Sequence, residues 1–204
     1  MAKAISKADR TRQFIIESTA GIFNKKGYAG TSMADLTQAT QLTKGSIYGN
    51  FENKEEVALA AFDYNLSRIH LAIDERIRKS ATYHDKLMVY ARVYHSFMGE
   101  PFPVGGCPIL NTAVEADDTH DVLKEKAANA VIQWKKKLII LIEEGVKAGE
   151  FKSAIDSTQL ALSIIALVEG GMMIAKVTDH SANLDKVLKT VELLISQLLI
   201  KKEK

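Results

Sequence analysis

Cysteine is almost missing from this chain: Cys107 stands alone among 204 residues. One thiol excludes an internal disulfide and fits a reducing compartment. Proline and glycine are scarce too, at three and twelve residues, too little punctuation for an all-β chain that turns every ~8–12 residues. The most apolar stretch, Leu160 to Val177, is interrupted by Glu169 and Lys176, short of the ~20 unbroken apolar residues of a membrane span. No apolar segment follows Lys3, Lys7, Arg10 and Arg12, so no signal peptide is expected. A cytoplasmic protein without membrane contact is the expectation. Catalytic signatures are absent as well: no Gly-x-Ser-x-Gly, no phosphate-cradling glycine loop, no nucleophile beside a base. His84, His95, His120 and His180 lie far apart, and the acidic run Glu115, Asp117, Asp118, His120, Asp121 lacks metal-ligand spacing and reads as a solvated loop. Neither an enzyme, a metal site nor a cofactor is expected.

What is present is an ordinary globular balance, 47% apolar and 25% charged, which excludes a disordered or collagen-like chain. Net charge is only +2, but its distribution is uneven. Residues 1–54 carry eight Lys/Arg against four acids, leaving nineteen bases and twenty-one acids in the rest. A basic head on a slightly acidic body suits a chain that meets a polyanion at one end.

Periodicity gives an all-α chain. Residues 11–26 place Ile15, Ile16, Thr19, Ala20, Ile22 and Phe23 on one side, and Lys25-Lys26-Gly27 is helix-stop chemistry. Thr31 and Ser32 then cap a short helix ending near Ala39, and Thr43 caps another over Lys44–Asn50. Two short helices with a brief turn between them form a helix-turn-helix. A long helix starts at Lys54 and runs to about Lys79. Further helices are expected at about 83–98, 106–117, 119–148, 156–177 and 182–201, with a loop at 99–106. The segment 156–177 is apolar on nearly every side and 182–201 has a wide apolar face. A helix apolar all round must be covered all round, so these two are expected to pair with the same helices of a second subunit.

The run from Arg12 to Glu56 resembles the DNA-binding domain of TetR-family transcriptional regulators. The matching residues are Phe23, Gly27 and Tyr28, the Thr31-Ser32 cap, Asp35-Leu36, the stretch Thr43-Lys44-Gly45-Ser46-Ile47-Tyr48, Phe51 and Lys54-Glu55. The resemblance implies nine helices, with a helix-turn-helix head over 1–53 (motif about 32–51) and a ligand-binding and dimerisation body over 54–204. It implies a homodimer on a palindromic operator in double-stranded DNA, most simply a repressor released by a small-molecule inducer. Two departures stand out: the family often has Gly where Gln41 stands, and a larger side chain at Gly49.

The physics of the head agrees. A helix entering the ~12 Å major groove needs small or polar residues at its front, which Thr43, Lys44, Gly45 and Ser46 supply. Ile47 can turn inward toward Leu36 and Phe23. Tyr48 and Asn50, with Gly49 between them, flank the groove; Lys54 is placed for a phosphate, and Thr31 and Ser32 can donate to the neighbouring backbone. In the body, Tyr90, Tyr94, Phe97, Cys107, Asn111, Trp134 and Met172 mix aromatic bulk with polar tips and are candidate ligand contacts. Cys107, at a helix start, is also a candidate electrophile-sensing thiol. Other readings stay open: a helical small-molecule-binding protein without specific DNA binding, a thiol sensor, or a small enzyme using Cys107.

Overall fold

In a computed structural model that describes residues 6–95 and 102–200, nine helices account for the regular structure. They are α1 (Lys7–Lys26), α2 (Met33–Thr40), α3 (Lys44–Tyr48), α4 (Lys54–Lys79), α5 (Tyr83–Tyr94), α6 (Pro108–Ala116), α7 (Asp121–Lys147), α8 (Ser157–Val177) and α9 (Ser181–Ser196). The all-α expectation holds. The chain divides into two compact units: residues up to Arg68 with Phe102–Ala127, and the remainder. The division therefore falls inside α4 and α7 rather than at Asn53, and α6 belongs with the head helices.

Local chemistry sets the helix ends of the first unit. Helix α1 starts at Lys7, ahead of the expected Thr11, because Ser6 and Asp9 close a capping box: the Asp9 N–H donates to Ser6 Oγ (3.0 Å) and the Ser6 N–H to Asp9 Oδ2 (3.2 Å). It stops at Gly27, whose φ of 73° carries the chain out of the helix while its N–H still reaches the Phe23 carbonyl (2.9 Å). Between α2 and α3, Gln41 takes a left-handed conformation (φ 55°, ψ 23°) without being glycine. Ile15, Phe23, Leu36, Ile47, Phe51 and Val57 close one core over α1–α4. Its buried Thr19 and Asn65 are satisfied by the carbonyls of Ile15 (2.7 Å) and Ala20 (2.9 Å).

In the second unit α9 packs against both α8 and α5. A Cβ on Gly171 would lie 3.0 Å from Leu184 Cδ1 and 3.2 Å from Val187 Cβ, so glycine there lets α8 and α9 approach closely. By length and mean hydropathy, α8 alone among the described residues matches a membrane span despite Glu169 and Lys176. Core packing accounts for its inner face, where Ala161, Ile164, Ile165, Val168, Gly171, Met172 and Ala175 are buried. The last helix ends at Ser196, short of the expected 201. Beyond it Leu199 forms an isolated antiparallel bridge with Phe151, framed by Lys152 N–H to Leu198 O (2.9 Å) and Ile200 N–H to Glu150 O (3.1 Å).

Candidate nucleic-acid interface

Helix α3 is one and a half turns long and has a single anchor, Ile47, which is fully buried among Leu36, Phe23 and Phe51. Thr43 caps it, its Oγ1 accepting the Ser46 N–H (3.1 Å). Thr43, Lys44 and Gly45 are exposed, Ser46 is half-buried, and Tyr48 is 37% exposed with the Lys44 ammonium 5.7 Å from its ring centre. Gly45 has ordinary helical geometry and nothing within 4 Å of where a Cβ would sit. The fold makes no demand for glycine at that position. Gly49 is also exposed and ends the helix, donating to Gly45 O (2.9 Å).

Other expected contacts turn inward. Thr31 is 1% exposed and its hydroxyl donates to Gly27 O (2.6 Å). Ser32 stays exposed, but its hydroxyl proton goes to Asp35 Oδ2 (2.7 Å) while its Oγ caps α2. Lys26 binds the same carboxylate (2.6 Å), and that bond, with those from Ser32, holds Asp35 well below the usual carboxylate range. Lys54 donates to the Tyr28 and Thr31 carbonyls (2.8 and 3.0 Å) and lies over the Tyr28 ring (4.1 Å). Two of its three protons thus fasten α4 to the α1–α2 loop. The expected roles of Thr31, Ser32 and Lys54 toward DNA are corrected accordingly: all three build the head. Asn50 is divided, its Nδ2 donating to Ser46 O (2.9 Å) and its carbonyl accepting from Arg12.

Arg12 has the same kind of role, and its sequence position gave no hint of it. Its guanidinium also binds Glu56 Oε1 (2.6 Å) and stacks 4.0 Å over Phe51, fixing α1 to the corner where α3 gives way to α4. The acidic run after α6 is corrected as well. Glu115 is no solvated side chain: its two oxygens accept the Tyr28 and Ala29 N–H groups, each at 2.9 Å. A Cβ at Gly27 would fall 2.3 Å from Glu115 Oε2, so the glycine that stops α1 also admits this strap. One turn earlier on α6, Asn111 Nδ2 donates to Asn24 O (2.9 Å) and Gly105 O (2.9 Å).

The candidate ligand contacts do not fall in one unit. Tyr90, Tyr94, Trp134 and Met172 are buried in the second. There the Trp134 ring stacks on Tyr94 (5.5 Å, 1°) and on Tyr90 (6.4 Å, 18°). Tyr90 Oη and Trp134 Nε1 are buried with no hydrogen-bond partner, and burial pushes the Tyr90 hydroxyl far above its ordinary range, so it remains a donor. Cys107 and Asn111 belong to the first unit. Cys107 occupies the N-cap position of α6 without a side-chain capping bond and is 1% exposed, while Asn111 is a loop fastener rather than a pocket residue. Phe97 lies outside the described residues.

A capped support helix, a tight turn and a short helix with an exposed polar front define a helix-turn-helix DNA-binding protein with a helical domain attached. Residues 15–61 match the family described as bacterial regulatory proteins, tetR family, and residues 84–191 match the tetracyclin repressor-like C-terminal domain. A solved transcriptional regulator of the TetR family from Cytophaga hutchinsonii is 54% identical, with a TM-score of 0.94 over 98% of this chain and 100% of that one. A TetR transcriptional regulator from Chloroflexus aurantiacus is 36% identical, with a TM-score of 0.90 over 95% and 98%. Among curated proteins, the HTH-type transcriptional repressor DhaR of Mycobacterium sp. is 26% identical over 182 residues, 88% of this chain and 89% of the relative. The chain belongs to the TetR family and is a DNA-binding transcriptional regulator.

Proposed function

We propose that the protein is a cytoplasmic repressor that binds a palindromic operator as a homodimer and is released by a small-molecule inducer. The observation that carries the DNA part is the front of α3. Its residues Thr43, Lys44 and Gly45 are exposed while Ile47 alone holds the helix in place, which suits entry into a major groove. Tyr48, Gly49 and Asn50 flank that entry. Functionally, 1–53 is then the reading head and 54–204 the sensing and pairing body.

The pairing surface is an apolar stripe on α8. Leu162, Ala166, Gly170, Met173 and Val177 follow helical spacing on one exposed side, with Val177 78% exposed and open space at Gly170. Leu193 on α9 is exposed as well. Contiguous exposed apolar residues of this kind suit association with a second copy. For the inducer, the two orphaned donors Tyr90 Oη and Trp134 Nε1 favour a ligand with a hydrogen-bond acceptor on an aromatic or apolar frame. Helix α4 contributes residues to both compact units and is the covalent lever between sensing and reading. An inducer lowers DNA affinity by binding better to a state whose heads do not match half-sites about 34–36 Å apart. The burial of Cys107 argues against the thiol-sensor reading.

A retardation assay on DNA upstream of the protein's own coding region, run with competitor DNA and at rising salt, tests this reading. Specific retention that falls steeply with salt supports it. The companion variant is Gly45→Ala. With no strain or clash at that position, alanine leaves the melting temperature unchanged or raises it, while its methyl at the groove weakens operator binding about tenfold, or ~1.4 kcal/mol. Unaltered binding by Gly45→Ala, or retention that competitor DNA removes, defeats the proposal.

A further inference from the structure

The first unit holds a cavity of about 180 Å³ where the α1–α2 loop faces the end of α6 and the start of α7. Its wall is built from Tyr28, Ala29, Ala116, Thr119, His120 and Leu123, with Glu115 at one side. The polar atoms of that wall are already occupied. Glu115 accepts from the Tyr28 and Ala29 amides, and the Thr119 hydroxyl donates to the Glu115 carbonyl. His120 Nδ1 accepts the Leu123 N–H (3.3 Å), which leaves the proton on Nε2 to face Glu55 Oε1 (3.2 Å). The His120 ring also meets Tyr28 edge-on, centroids 4.7 Å apart. A neighbouring cavity of about 20 Å³, room for one water, shares Tyr28, Glu115 and Leu123 and takes the polar side chains of Asn24, Asn65 and Thr112 into its wall.

Water fills the larger cavity poorly. Its volume corresponds to about six waters at ~30 Å³ each, and each needs two to four polar partners, which this wall does not offer. A charged occupant of either sign would leave bulk water without an opposite charge free to meet it. An apolar cavity of about 150 Å³ is enough to take up benzene. We infer that this cavity is a binding site for an uncharged apolar molecule the size of a single six-membered carbon ring, made from residues separate from the Tyr90–Trp134 cluster. Such an occupant packs beside the Glu115 strap and stabilises the strapped state of the α1–α2 loop, because it binds the conformation that contains the cavity.

Benzene titrated into the full chain tests this by methyl NMR. The inference expects saturable ring-current shifts at Ala29, Ala116 and Leu123. Thr119→Leu, at an exposed residue of the rim, fills the site and weakens benzene binding by at least about tenfold; Ala29→Leu is the second, independent filling variant. Hydrogen exchange of the Tyr28 and Ala29 amides slows about tenfold at about ten times the benzene Kd. Three results overturn the inference: no saturable shift at those methyls, shifts confined to the surroundings of Trp134, or benzene affinity unchanged in both filling variants. Amide exchange that stays the same or quickens overturns the link to the strap. None of these readouts involves DNA, so the result stands apart from the operator reading.

Discussion

Arg12 shows what one side chain does across distant parts of the chain. It meets Asn50 O, Glu56 and Phe51 together. No local pattern announces a contact 38 to 44 residues away, so sequence reading treats it as one more cation of a basic head. Glu56 Oε2 also accepts the Glu52 N–H (2.7 Å), and that bond, with the Arg12 pairing, holds the Glu56 carboxyl below its ordinary range. A carboxylate depressed on folding stabilises the fold above its unfolded pKa, ~4.3 for Glu, and loses that contribution as pH falls through the folded value. Both partners are about a third exposed, so salt screens the pair and its contribution is modest. Arg12→Ala is expected to cost about 1 kcal/mol near pH 7. In urea unfolding the gap to the parent protein should narrow below about pH 4. A gap independent of pH would assign the effect to the Phe51 stack.

At the scale of the element, caps made the head legible. Thr43 and Ser32 act as N-caps where hydroxyls precede short apolar runs, and Gly27 ends α1 where cations precede glycine. The ends that were misplaced had other causes. Helix α1 gained a turn from the Ser6–Asp9 box, and α9 lost one because its tail pairs with Phe151 and Glu150. Gln41 is the head's one strained position in a non-glycine residue, at φ 55°. Its neighbour Thr40 holds the turn, donating to Leu36 O (2.7 Å) and accepting the Leu42 N–H (3.3 Å). Gln41→Gly relieves the left-handed conformation and is expected to stabilise the protein by about 1 kcal/mol. Thermal unfolding at matched protein concentration checks this, and a lowered melting temperature would show that the Gln41 to Gln38 O bond (2.7 Å) outweighs the strain.

For the whole molecule, the proposed dimer makes a prediction of its own. Leu193→Glu places a charge in the exposed apolar region of α9, where a free monomer tolerates it and a buried pair interface does not. Sedimentation equilibrium is expected to show monomers at concentrations where the parent protein is paired. Operator binding should fall with it, since two half-sites need two linked heads. A variant that stays dimeric would remove α9 from the interface.

Fold class, the helix-turn-helix and its polar front were determined by the sequence alone, because caps, glycine stops and 3.6-residue periodicity act over a few neighbouring residues. Which hydroxyls and cations are free for DNA was decided only in three dimensions. Thr31, Ser32 and Lys54 look like surface donors along the chain, yet each spends protons on a carbonyl or carboxylate that folding brings within reach. The same holds for the strap: Glu115 lies more than eighty residues from Tyr28, and only packing of α6 on α1 turns a solvent-like acid into a clamp.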